Sequence, residues 1–163
     1  YLHKFEIVYC DLSLNNILID DNLEPKLCDF GNARYTTDAP SHSGTDSFLP
    51  PELLRNDEFC NPKSDVYSFG IFLYCLAFEN HTPDLKAYNI ENQPLPYIDI
   101  IEPNIRFLIN FCRNDIPSQR CNFDHIIKLM INGYTFENTN NEEIMEYYDK
   151  LEKETAPISE FEP

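Results

Sequence analysis

Val8 to Gly31 reads VYCDLSLNNILIDDNLEPKLCDFG, and the rest of the chain is best read outward from it. Asp11, Asn16 and Asp29 follow one another as a carboxylate, an amide and a second carboxylate. Between them an apolar run, Ile17 to Ile19, precedes the turn residues Asp20, Asp21 and Asn22, and Lys26-Leu27-Cys28 follows. The pattern predicts a loop, a strand, a turn and a returning strand. Such a hairpin folds Asp29 back towards Asp11 and Asn16, so three oxygen-bearing side chains converge at one end of a two-stranded ribbon. Hard divalent cations take oxygen ligands of this kind. An unpaired Asp beside the metal can accept a proton.

These residues also carry a family resemblance. Tyr9 to Asn16 resembles the catalytic loop of protein kinases, and Asp29-Phe30-Gly31 resembles their metal-binding DFG. The resemblance implies a phosphoryl transfer from ATP to a protein hydroxyl. Asp11 would orient the acceptor and take its proton, while Asn16 and Asp29 would hold Mg²⁺ against the phosphates. Tyr9 and Phe30 would stack in a hydrophobic spine, with Gly31 closing the motif. Two residues depart from the pattern. Cys10 replaces the arginine that reads activation-loop phosphate, and Ser13 replaces the lysine that neutralises the transferring group.

Upstream, Tyr1-Leu2-His3 resembles the end of the helix that precedes the catalytic loop. The glycine-rich phosphate loop, the strand lysine and its glutamate partner are not among these 163 residues. The expectation is therefore a C-terminal lobe without its upper lobe, binding ATP poorly by itself. The chain begins with Tyr and has no signal-peptide pattern.

Downstream, Asn32 to Pro50 is polar, without an apolar period, and is expected to be a mobile loop. By resemblance it is the activation segment. Thr36, Thr37, Ser41, Ser43, Thr45 and Ser47 are candidate phosphoacceptors in it, though hydroxyls are common in any solvated loop. Gly44 to Glu52 resembles the segment that shapes the substrate-docking surface, with Pro50 for the usual Ala. Thr45 matches the threonine that bonds the catalytic Asp in serine/threonine kinases. Pro51 is placed to open a short helix through Leu54.

The strongest helix signal runs from Asn61 to Phe78. Ser64 is read as its N-cap, and only Ser68 and Gly70 interrupt the apolar residues from Val66 onward. A helix apolar on all sides is buried. The run is well short of the ~20 residues a membrane span needs. Ser64 to Gly70 resembles the central helix of the kinase lobe, whose Asp65 would hold the catalytic-loop backbone.

One short helix is expected near Leu85. Apolar residues at 105, 108, 109 and 112 predict an amphipathic helix over Glu102 to Arg113, with Pro103 in its first turn. Cys112, Pro117, Arg120 and Phe123 partly match a signature near the end of tyrosine-kinase-like domains. There Arg120 would pair with Glu52. Phe123, Ile126, Ile127, Met130 and Ile131 line one more helix, which Gly133 ends.

The expected organisation is a mainly α protein-kinase-like C-lobe with small β-hairpins over residues 1–133. An acidic, helical extension follows over 134–154, with a stripe at Ile144, Tyr147, Tyr148 and Leu151, and then a disordered tail over 155–163. A hydrophobic content of 42% supports a core. The net charge of −16 argues against nucleic acid as a partner. None of the six cysteines makes a CxxC pair, and several lie in apolar runs, which suggests free thiols, a reducing cytoplasmic location and no structural zinc.

Two alternatives to an active serine/threonine-directed (or tyrosine-directed) kinase stand beside that reading. One is a pseudokinase that binds nucleotide or partner proteins without turnover. The other is a non-catalytic interaction module.

Overall fold

The structure is a computed structural model that describes residues 1–78, 84–136 and 139–154. The expected disordered tail, 155–163, lies outside the described residues. In chain order the regular elements are β1 (Ile7–Val8), β2 (Ile17–Ile19), β3 (Pro25–Leu27), β4 (Arg34–Tyr35), α1 (Pro51–Leu54), α2 (Pro62–Ala77), α3 (Lys86–Ile90), α4 (Pro103–Cys112), α5 (Phe123–Ile131) and α6 (Asn141–Glu154). Short 3-10 turns join several of them. Among the described residues the chain is mainly helical, and the strands make two antiparallel two-stranded ribbons, β2 with β3 and β1 with β4.

The first ribbon is the hairpin read from the sequence, with Ile17 opposite Leu27 and Ile19 opposite Pro25. Asp20 builds its turn. One carboxylate oxygen accepts from the backbone N–H groups of Asn22 and Glu24, each at 2.9 Å, a local bond that Asp makes readily. The second ribbon is a departure from the sequence reading. Arg34 and Tyr35, placed in an unbroken mobile loop, pair with Val8 and Ile7. Two residues are too few to carry a period, so no alternation announces them.

Helix α2 is the axis of the core. Its span agrees with the sequence reading, but Ser64 is not its N-cap. Asn61 is the N-cap, accepting from Lys63 N–H at 2.8 Å, and the Ser64 hydroxyl accepts in return from Asn61 N–H at 3.2 Å. Pro62 occupies the first helical position, where no N–H is needed, so the helix begins before Ser64. Tyr67 and Ile71 of α2 are fully buried against Ile105, Leu108 and Ile109 of α4. Those residues, with Cys112, are the buried face of α4. Each such side chain contributes roughly 1.5–3 kcal/mol of transfer free energy.

The two helices meet at Gly70. A Cβ there would lie 2.8 Å from the Cys112 Cβ, and 3.2 Å from both the Arg113 Cγ and the Ile109 carbonyl oxygen. Gly70→Ala is therefore expected to lower stability by about 1–3 kcal/mol through overpacking, despite a gain in helix propensity of up to about 1 kcal/mol. Thermal denaturation reads the result; an unchanged or raised Tm would mean that the helices part freely.

Helix α6 packs beside α5. Lys150 reaches Glu24 at the hairpin turn, 3.4 Å away, which lays the acidic helix on the rest of the molecule. The stripe residues Ile144, Tyr148 and Leu151 have side chains outside the described set, while Tyr147 is partly exposed. No described helix is long and apolar enough to cross a membrane.

Candidate active site

The loop between β1 and β2 is suspended from α2. Tyr9 and Cys10 donate their backbone N–H groups to the two carboxylate oxygens of Asp65, each at 2.8 Å. Asp65 is 3% exposed, and His3 Nε2 lies 2.8 Å from its Oδ2. Cys10 adopts a left-handed conformation, φ 67°, uncommon outside glycine. The paired N–H groups hold it there. This geometry delivers the next residue, half-buried Asp11, to the edge of the hairpin.

Both oxygens of Asp11 are engaged. Thr45 Oγ1 donates to Oδ1 at 2.7 Å, and Asn32 Nδ2 donates to Oδ2 at 3.2 Å. Thr45 is far along the chain and reaches Asp11 because Gly44 precedes it. A Cβ at Gly44 would stand 2.7 Å from the Cys10 carbonyl oxygen and 2.6 Å from Leu49 Cδ2, and the backbone there has φ 135°. Only glycine meets both demands without strain.

Asn16 Nδ2 donates to the Asp11 carbonyl at 2.8 Å. That engages its amide nitrogen and leaves the amide oxygen as the donor for a cation. Asp29 caps the turn Phe30–Asn32 in a left-handed conformation, φ 51°, and one of its oxygens accepts from Gly31 N–H at 3.2 Å. A Cβ at Gly31 would sit 3.1 Å from that oxygen. The exposed carboxylate of Asp29 and the amide oxygen of Asn16 are both hard oxygen donors, and the backbone bond from Cys28 N–H to the Asn16 carbonyl, 2.9 Å, brings their chain segments together. Mg²⁺ is commonly held by one or two carboxylates plus substrate phosphates and waters, so the residues fit Mg²⁺ with a nucleotide. Among the described residues no group of three or more His, Cys, Asp or Glu side chains is arranged to hold a metal.

Tyr9 and Phe30 pack edge to face, with ring centroids 5.3 Å apart and planes at 73°, rather than stacking. Burial, together with the neighbouring Cys28 thiol and the carboxylates of Asp11, Asp29 and Asp65, pushes the Tyr9 hydroxyl up to about 12. It stays protonated and donates to the Cys28 carbonyl. Ser13, at the position that lacks the lysine, is 1% exposed, and its hydroxyl has no partner among the described residues. Cys10 has Cys60 and Arg34 as neighbours. A hydrogen bond with the Cys60 thiol, helped by the Arg34 guanidinium, holds the Cys10 thiol below its ordinary value.

Behind the loop, Arg120 makes a two-pronged pair with Glu52 of α1, Nη1 to Oε1 at 2.6 Å and Nη2 to Oε2 at 2.7 Å. Their side chains are 0% and 7% exposed. The Arg120 guanidinium also lies 4.9 Å from the centroid of the Tyr67 ring. Asp11, Asn16 and Thr45 are thus linked directly by hydrogen bonds, with Asp29 entering through the turn that ends in Asn32. Glu52, Asp65 and Arg120 sit outside that cluster and hold its supports.

Asn32 is the member of the site that the sequence reading missed. An asparagine immediately after Asp29-Phe30-Gly31 was the available signal, since its amide can reach only what that turn faces.

The family model for the protein kinase domain matches residues 1–131. The serine/threonine/tyrosine-protein kinase HT1 of Arabidopsis thaliana is 30% identical over 171 residues, covering 98% of this chain and 39% of that protein. Serine/threonine-protein kinase CTR1 of the same plant is 34% identical over 143 residues, covering 80% of this chain and 17% of its own length. A probable serine/threonine-protein kinase KIN1 homolog of Encephalitozoon cuniculi is 39% identical over 135 residues, covering 78% of this chain and 24% of its own. The chain spans well under half the length of these relatives.

Proposed function

The chain belongs to the protein kinase family, and on that premise we propose that it supplies the lower wall of an ATP-dependent phosphotransfer site acting on protein hydroxyls. Residues 1–133 are assigned to the lower lobe and 134–154 to an acidic extension of it. Serine and threonine stand in the names of all three similar proteins and tyrosine in one, which favours serine and threonine as acceptors with tyrosine as a further one.

Asp11 is the group that orients the acceptor hydroxyl and takes its proton. One observation carries the reading: its carboxylate is held at one oxygen by Thr45 and at the other by Asn32. Two fixed donors aim the remaining lone pairs and keep the carboxylate from turning, which is how positioning contributes to rate. Asn16 and Asp29 would hold Mg²⁺, which supplies charge neutralisation to the phosphates of ATP when bound. Tyr9 and Phe30 form the apolar wall behind them. Thr45 is a positioning residue, and Glu52, Asp65 and Arg120 are structural supports. The catalytic loop itself brings no cation to the transferring group, since Ser13 stands where a lysine would. The six free cysteines support a reducing, cytoplasmic setting, and the acidic balance disfavours nucleic acid as a partner.

The test is transfer of the γ-phosphoryl group from Mg·ATP to a protein acceptor by the whole natural protein that contains this chain. Asp11→Asn is expected to lower kcat by about 100-fold, the lower end of what a positioned acid–base group contributes. Its Tm should stay within a few degrees of wild type. Equal turnover by the two proteins would remove Asp11 from the chemistry.

A further inference from the structure

Two buried thiols outside the candidate active site stand side by side. Cys112 ends α4, and Cys121 immediately precedes Asn122, the cap of α5. Their Sγ atoms are 3.8 Å apart. Cys112 is 0% and Cys121 3% exposed, and they share an apolar cluster with Val66 and Ile126. Both are free thiols. Nothing in the phosphotransfer reading uses them.

We propose that Cys112 and Cys121 are a peroxide-sensitive pair that closes to an intramolecular disulfide and clamps the loop carrying Arg120. A disulfide bond is about 2.05 Å long, so the sulfurs must approach by a little under ~2 Å. The intervening residues, 113–120, hold only a 3-10 turn at Pro117–Gln119, so that movement need not break a long element. Cysteine pairs in reducing compartments that do oxidise are usually transient and redox-sensing.

The two thiols are not equivalent. Hydrogen bonding from Cys112 and the nearby positive charge of Lys63 hold the Cys121 thiol below its ordinary value, against the effect of burial. Sharing that bond, together with burial, pushes Cys112 up. The Lys63 ammonium is fixed there by the carbonyls of Arg120 at 2.6 Å and Cys121 at 2.9 Å. With the Lys63 ammonium fixed at its own carbonyl, Cys121 is assigned as the sulfur that attacks first.

Its sulfur attacks one oxygen of hydrogen peroxide and the O–O bond breaks. Hydroxide leaves, takes up a proton and becomes water, and Cys121 is left as the sulfenic acid. Cys112 Sγ then attacks the Cys121 sulfur. The S–O bond breaks, and a second water departs with the Cys112 proton. The two thiols lose two electrons in all, and one peroxide becomes two waters.

The product would tie the end of α4 to the residue beside Arg120. It would thereby fix the loop whose guanidinium holds Glu52, and with it α1. The oxidised chain is expected to melt higher by roughly 5 °C.

The experiment exposes the folded chain to graded hydrogen peroxide, quenches it, and alkylates the remaining thiols in denaturant. A tryptic map is then made without reductant. Cleavage after Arg113 and Arg120 separates the two cysteines, so a disulfide between them appears as one crosslinked species. Its mass is that of the two peptides less two hydrogens, and dithiothreitol splits it. That species, formed well below the melting temperature, is the expected result. Three findings would overturn the proposal: both cysteines alkylated at peroxide doses that oxidise other thiols, Cys121 joined to a different cysteine, or a crosslink that forms only once the chain has unfolded.

Discussion

Asp65→Ala is expected to lower stability by roughly 3–5 kcal/mol, a large part of the 5–15 kcal/mol that a domain usually has. Asp65 is buried, and its two oxygens satisfy the N–H groups of Tyr9 and Cys10, which are themselves in buried residues. Removing the carboxylate strands both donors, at about 1–3 kcal/mol each. It also frees Cys10 from the left-handed conformation that those bonds hold, and it takes away the partner of His3. Asp65→Asn keeps one acceptor but turns an amide N–H towards the other donor, so it should recover only part of the loss. Urea unfolding of the three proteins reads the series. Alanine and wild type unfolding at the same midpoint, with equal slopes, would mean that the loop is held by something else.

Arg120→Ala is expected to cost a similar amount, about 3–5 kcal/mol, because it leaves Glu52 as a buried charge without its partner. The side chains of the pair are nearly free of solvent contact, and both bonds are short. Arg120 also donates to the carbonyls of Asn114 and Lys63, so the alanine removes the knot that joins α1, the start of α2 and the loop before α5. Replacing both partners by apolar residues of similar size, Arg120→Met with Glu52→Leu, should recover much of the loss, since a buried pair often contributes little net stability. The cycle of Arg120→Met, Glu52→Leu and the double variant isolates the pairing energy. An Arg120→Ala protein with the melting temperature of wild type would refute the role of the pair.

How much of this was legible in sequence depended on the range of the interaction. Helix α4 was legible because its buried residues, Ile105, Leu108, Ile109 and Cys112, recur at helical spacing. The β2–β3 hairpin was legible because Asp20 and its neighbours announce a turn between two apolar strands. The β1–β4 ribbon was not, because each strand is two residues long and their partners are far apart in sequence. Asn61 rather than Ser64 caps α2 because Pro62 fits the first turn, a competition between two plausible caps that composition alone does not settle.

In the site, the contacts of Thr45, Asp65 and the Glu52–Arg120 pair were named through motif resemblance and not through any periodicity. Their partners lie 34 to 68 positions away. Asn32 had no such motif to carry it, and the Cys112–Cys121 contact has no recognisable spacing; both arise from how separate elements meet.

The suspension of the loop from Asp65 bears on which substitutions the chain can accept over evolutionary time. Asp65 grips residues 9 and 10 by main-chain N–H groups, which every amino acid but proline possesses. The grip itself therefore asks nothing of those two side chains beyond tolerance of the left-handed backbone at residue 10. The path of the loop is thus set from α2 through the main chain, whatever chemistry the two side chains bring to it.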